Sequence, residues 1–131
     1  PMDDISQTHP HLGALRVSGD SMLPVLRRGD VVLFRRHPEV VRPGDIVVFR
    51  DCIHRAVWAR HSVWEIGDAN AQWPKRRSWA DVEGVAVALL RDSQWIDLPH
   101  RSRRALAYRV LRAAMRSEWS RIRRRFFLNL D

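Results

Sequence analysis

Residues 18–24 read Ser-Gly-Asp-Ser-Met-Leu-Pro (SGDSMLP), which sets Ser21 between a Gly-Asp turn and a Met-Leu-Pro run. A serine at such a place satisfies a turn or serves as a nucleophile. The residues after it are the first guide. The chain continues VLRRGDVVLF, with a second Gly-Asp turn and then an apolar run, and RPGDIVVFR repeats that order a few residues on.

Four Gly-Asp pairs punctuate the body: Gly19-Asp20, Gly29-Asp30, Gly44-Asp45 and Gly67-Asp68. Glycine supplies positive φ and aspartate bonds its own backbone, so these are turns. Short Val- and Ile-rich runs lie between them. They predict strands at Ala14–Val17, Val31–Arg35, Ile46–Arg50, Ile53–Trp58, Val63–Ile66 and Val85–Leu90, with a short one at Trp95–Asp97. VVLF and IVVF are apolar at consecutive positions, as expected of strands covered on both faces. From Arg101 the period changes. Leu106, Val110, Leu111, Ala114, Met115, Trp119, Ile122 and Phe126 recur at helical spacing, with Arg109, Arg112, Arg116 and Arg123 on the other side and Pro99 ahead. The expected architecture is a mainly antiparallel β domain over 1–98 and a long basic amphipathic helix over 99–131.

The chain has 131 residues, enough for one domain with its own core. Cys52 is its only cysteine, so neither an internal disulfide nor a CxxC metal pair is possible, and no metal or cofactor is expected. No apolar run reaches the ~18 residues of a membrane span. The formal charge of +8 is concentrated at the end, where residues 99–131 carry ten arginines against Glu118 and Asp131. That helix could brace the body, lie on an anionic membrane surface, or meet an acidic partner or nucleic acid. Trp73 and Trp79 flank Lys75-Arg76-Arg77, an interleaving that also suits single-stranded nucleic acid, a weaker reading than a solvated charge run. The expected location is cytoplasmic, with peripheral membrane attachment as an option.

A serine nucleophile needs a base. The histidines are His9, His11, His37, His54, His61 and His100, and Lys75 is the sole lysine. His9 and His11 flank Pro10 ahead of the first strand, while His37 and His100 adjoin prolines; all four read as loop residues. His54 opens the run IHRAVWA directly after DIVVFRDC. Antiparallel neighbours can carry it to the end of the first strand, where Ser21 lies.

The order SGDSMLPVLRRGDVVLF, RPGDIVVFR, IHRAV, IGDAN, VEGVAVALL resembles the signal peptidase I family, whose clan includes the LexA-type self-cleaving repressors. The resemblance spans roughly residues 14–91. It implies Ser21 as nucleophile, with Met22 and Pro24 shaping its turn. His54-Arg55 is similar to the branch that uses histidine as base instead of lysine. That branch places an aspartate after a Gly-Asp-Asn-Asn segment. Here the segment is Gly67-Asp68-Ala69-Asn70, followed by Ala71-Gln72-Trp73-Pro74, so Asp68 is the one acid left in it to orient His54. The amides of the Gly19-Asp20-Ser21 turn are the candidate oxyanion donors. The resemblance implies a serine endopeptidase that removes a leader or signal-like segment from a peptide or protein. The alternative is a peptidase-like fold without turnover that binds a peptide or partner; the missing acids favour it. Residues ahead of Ala14 are too few for the DNA-binding domain that LexA-type repressors carry.

Overall fold

The computed structural model describes residues 9–70 and 72–98, together with Arg112, Met115 and Arg116. Among these residues eight strands occur in chain order: β1 (Leu12–Arg16), β2 (Val31–Arg36), β3 (Ile46–Phe49), β4 (Ile53–Ala59), β5 (Val63–Ile66), β6 (Lys75–Arg77), β7 (Val82–Arg91) and β8 (Gln94–Asp97). A 3-10 turn at Trp79–Asp81, capped by the Ser78 hydroxyl, leads into β7. All pairings are antiparallel, in the order β1-β2-β7-β3-β4-β5-β6, with β8 also on β7. The ten-residue β7 is the spine. It meets β2 along its length, and β3 and β8 share its other edge.

Alternation explains why IVVF is apolar throughout. Ile46 and Val48 join one cluster, with Val17, Met22, Leu26, Val32 and Leu89. Val47 and Phe49 join a second, with Val41, Ala56, Val63 and Val85. Successive side chains point to opposite faces, so a strand buried on both must be apolar at each position.

Two Gly-Asp turns use one device. Gly29 and Gly44 take φ of 90° and 94°, where a side chain is disfavoured. The following aspartate reaches back to an amide three residues earlier: Arg27 N–H donates to Asp30 Oδ2 at 2.8 Å and Arg42 N–H to Asp45 Oδ2 at 2.9 Å. Arg91 at the end of β7 grips Asp30 at 2.7 and 3.0 Å, tying the long loop after β1 to the spine. That loop is closed at its base by Val17 N–H to Asp30 O and Gly29 N–H to Val17 O. Buried Met22 and Leu26 anchor it in the first cluster.

The expected strands are all present, with boundaries shifted by a residue or more in several. One strand was not expected: β6 is the Lys75–Arg77 run, whose composition suggested a solvated charge stretch. The expected long helix is corrected. Among the described residues no helix reaches seven residues, and what they form is a mainly antiparallel sheet. Arg112, Met115 and Arg116 are helical and exposed, while Leu106, Arg109, Val110, Leu111, Ala114, Trp119, Ile122, Arg123 and Phe126 lie outside the described residues. Among the described residues no helix is long and apolar enough to cross a membrane.

Candidate active site

Ser21 lies between an exposed Asp20 and a buried Met22, so the loop presents its side chain at the rim of the core. Its position is fixed from below by the Gly67–Asn70 segment after β5. Ala69 N–H donates to the Ser21 carbonyl at 2.9 Å. A Cβ on Gly67 would come within 2.7 Å of that same carbonyl oxygen and 3.1 Å of Ser21 Cβ. Only glycine lets the two backbones meet so closely. Asp68 N–H points at Met22 Sδ, 3.4 Å away. The peptide between Leu23 and Pro24 is cis.

His54 is the second residue of β4, just past the turn of the β3–β4 hairpin. Its register partner is Val47, and Ala56, two residues on along β4, faces Glu65 on β5. Residues two apart on a strand share a face, so His54 and Glu65 are diagonal neighbours. His54 Nε2 is 3.0 Å from Ser21 Oγ, and His54 Nδ1 is 2.5 Å from Glu65 Oε2. A hydroxyl, an imidazole and a buried carboxylate therefore form one continuous chain. Arg77 on β6 completes its buried end, donating from Nε to Glu65 Oε1 at 3.2 Å and from its NH groups to Asp51 at 3.1 Å. An NH group of the same guanidinium also donates to Cys52 Sγ, with nitrogen and sulfur 3.4 Å apart.

This geometry sets the electrostatics. Burial of His54 works against its cation, but hydrogen bonds and charge from Cys52 and Glu65 outweigh it and push the pKa up to about 9. Burial raises the Glu65 pKa, but His54 and Arg77 outweigh it and hold the carboxyl below its ordinary range. Both effects favour an ionised pair.

The acid at the imidazole is Glu65, not Asp68. Asp68 is engaged on both oxygens by Arg55, at 2.8 Å from Nε and 2.7 Å from an NH group, and the same guanidinium reaches Gly44 O at 2.8 Å. Arg55 follows His54 on β4 and points to the opposite face. Asp68 thus holds the segment beneath Ser21 while leaving the imidazole to Glu65. The sequence carried one signal for Glu65: in VWEI it is in phase with Val63, so alternation turns a carboxylate inward next to the His54 strand. Asp20 pairs with Arg28 at the surface. Lys75 is exposed on β6, and His9, His11, His37 and His61 are exposed as well; His100 lies outside the described residues.

A cleft of about 320 Å³ opens beside Ser21. Leu15, Val17, Met22 and Ile53 give it an apolar floor, and Gly19 and Cys52 also line it. Gly19 borders it without a side chain, and a Cβ there would meet nothing within 4 Å.

A family model described as Peptidase S24-like matches residues 2–57. The match takes in Ser21 and His54 and ends before Glu65. It supports the S24/LexA-like peptidase superfamily and a serine peptidase-like fold, the clan expected from the Ser21 box, without singling out signal peptidase I. No curated protein matches the chain.

Proposed function

We propose that this protein is a serine endopeptidase in which Ser21 is the nucleophile, His54 the general base and Glu65 the residue that orients the base. The observation that carries this reading is the unbroken chain from Ser21 Oγ through both His54 nitrogens to Glu65, at 3.0 and 2.5 Å, with its hydroxyl end at an apolar-floored cleft. With His54 neutral and its proton on Nδ1, that N–H donates to Glu65 and Nε2 accepts from the Ser21 hydroxyl. Oγ attacks the substrate carbonyl as its proton passes to Nε2. The same proton then goes to the leaving amine, the C–N bond breaks and an acyl-enzyme remains. Water, giving its proton to Nε2, releases the acid and regenerates Ser21. Glu65 stabilises the imidazolium at each crest without taking its proton. The amides of the Gly19-Asp20-Ser21 turn are the candidates to meet the oxyanion.

The cleft has room for an extended segment with an apolar residue against Leu15, Val17 and Ile53; a small residue before the cut bond, and removal of a leader or signal-like segment, are what the resemblance of the Ser21 box implies. The test is labelling by a fluorophosphonate, which reports an activated serine without knowledge of the substrate. Labelling of the full chain at Ser21, mapped by mass spectrometry and lost in Ser21→Ala, is the expected result. A chain that stays unlabelled across pH 6–10 overturns the assignment.

A further inference from the structure

Cys52, His54 and Glu65 present three ligand atoms of different chemistry, all within 4.8 Å of one another. From these we infer that the protein carries an inhibitory Zn²⁺ site, formed by Cys52 Sγ, His54 Nδ1 and Glu65 Oε2, directly behind the Ser21–His54 contact. A thiolate, an imidazole and a carboxylate make a ligand set suited to a borderline-soft, tetrahedral cation, and three protein ligands leave a fourth position for water.

Two of the three distances between ligand atoms lie near those that zinc needs, and the third, Sγ to Oε2, is within 4.8 Å. Zinc bonds of about 2.3 Å to sulfur and about 2.0–2.1 Å to nitrogen set a tetrahedral S···N edge of about 3.5 Å. Cys52 Sγ and His54 Nδ1 already stand 3.6 Å apart. The Nδ1···Oε2 distance is 2.5 Å, and zinc requires it to open to about 3.3 Å, a shift of under an ångström at one carboxylate oxygen. Arg77 supplies the outer layer of such a site. It donates to Glu65 Oε1 and to Cys52 Sγ, which leaves Oε2 as the oxygen facing Nδ1. Entry is open too, since Cys52 lines the cleft beside Ser21.

Occupancy has a defined consequence. Zn²⁺ takes the places of the Cys52 thiol proton and the His54 Nδ1 proton, and both go to solvent. A neutral imidazole bound through Nδ1 carries its remaining proton on Nε2. That nitrogen then donates to Ser21 Oγ and has no lone pair to accept the hydroxyl proton. The nucleophile is silenced without being touched, and a chelator restores it. This regulatory step rests on the peptidase reading; the metal site itself does not.

The experiment uses the full chain stripped of metal, titrated with Zn²⁺ by calorimetry and with Co²⁺ by absorption. One equivalent should bind, and Co²⁺ should give a thiolate-to-cobalt charge-transfer band. Cys52→Ala, checked for an unchanged melting temperature, should erase the band and weaken Zn²⁺ by at least about tenfold. Should that variant fail to fold, the cobalt spectrum of the unmodified chain decides alone. Absence of the band, or equal Zn²⁺ affinity in Cys52→Ala, overturns the site. In parallel, Zn²⁺ should slow fluorophosphonate labelling of the parent chain and not of Cys52→Ala, with recovery in chelator. Equal slowing of both chains overturns the inhibitory role. A metal-free chain that never labels refutes the peptidase reading, and the cobalt spectrum still decides the metal site.

Discussion

His54 and Arg55 are consecutive residues of β4, and each holds a buried carboxylate, yet the two pairs are built to opposite ends. The Arg55–Asp68 pair is closed. Both side chains are about 2% exposed, and the guanidinium spends its remaining reach on Gly44 O. The His54–Glu65 pair is open at one end. Glu65 is 1% exposed, but the imidazole is 15% exposed and its free nitrogen meets Ser21 at the cleft. Adjacent positions on a strand face opposite sides, so one short segment serves both purposes. A saturated pair fixes a backbone, whereas a pair with one unsaturated atom can move a proton.

The largest expected effect falls on the open side. Ser21→Ala should lower turnover by a factor on the order of 10⁴ or more, since a methyl cannot form the acyl bond. Its melting temperature should stay close to that of the parent, because the loop is held by Met22, Leu26 and the Ser21 carbonyl instead of the hydroxyl. Undiminished cleavage of a natural substrate by this variant would break the comparison at its root.

The closed side should answer in stability. Asp68→Ala leaves Arg55 buried without its partner, and the cost should be about 3–5 kcal/mol in chemical denaturation. If Asp68 instead oriented the base, Asp68→Asn would keep most of the stability and lose activity with an altered pH profile. The expected result is the reverse, with the pH profile of whatever folded protein remains unchanged.

Glu65→Gln sharpens the contrast through pH. A general base works deprotonated, so with a chelator present kcat/KM of the parent should rise with pH through about 9, the value to which Cys52 and Glu65 push His54. Replacing the carboxylate should move that limb to lower pH and reduce its plateau on the order of 10²-fold, as the imidazole loses its orienting partner. Stability obeys the same linkage. The His54 pKa is raised in the folded chain, so its contribution is complete below the ordinary histidine pKa of 6.5 and is lost as pH climbs through about 9. Glu65 is lowered, so its contribution is present above the ordinary carboxylate range and fades as acid protonates it. A stability maximum that vanishes in Glu65→Gln is the outcome to look for by thermal melts across pH.

The strands were legible because Val- and Ile-rich runs between Gly-Asp turns leave few alternatives. The contact between Ser21 and His54 was legible because the two residues come with a local box and a matching hairpin. Glu65 was missed for a physical reason: a lone acid inside an apolar strand reveals its partner only once strand register is known. Arg77 was missed for a related one. Lys-Arg-Arg has the composition of a solvated run, and only pairing with β5, together with Glu65, Asp51 and the Phe49 ring, gives Arg77 a place beside the core. Asp68 was expected to orient His54; its segment does meet Ser21, but through the backbone of Gly67 and Ala69, while its carboxylate goes to Arg55.

The smallest expected effect concerns the rim of the open side. Gly19 is not among the glycines at positive φ, and a Cβ there meets nothing within 4 Å, so neither backbone nor packing requires glycine. The cleft does, because Gly19 lines it next to Ser21. Gly19→Val should therefore change stability by less than about 0.5 kcal/mol, the range of an unencumbered surface change. Its branched side chain should narrow the cleft and raise KM by a few-fold to about tenfold, corresponding to about 1 kcal/mol of lost contact with substrate. The kcat should hold if the Gly19 amide keeps its direction. Substrates with larger residues before the cut bond should lose more than those with alanine or glycine there. A uniform loss in kcat, with KM and substrate ranking untouched, would move Gly19 from shaping the cleft to holding the oxyanion.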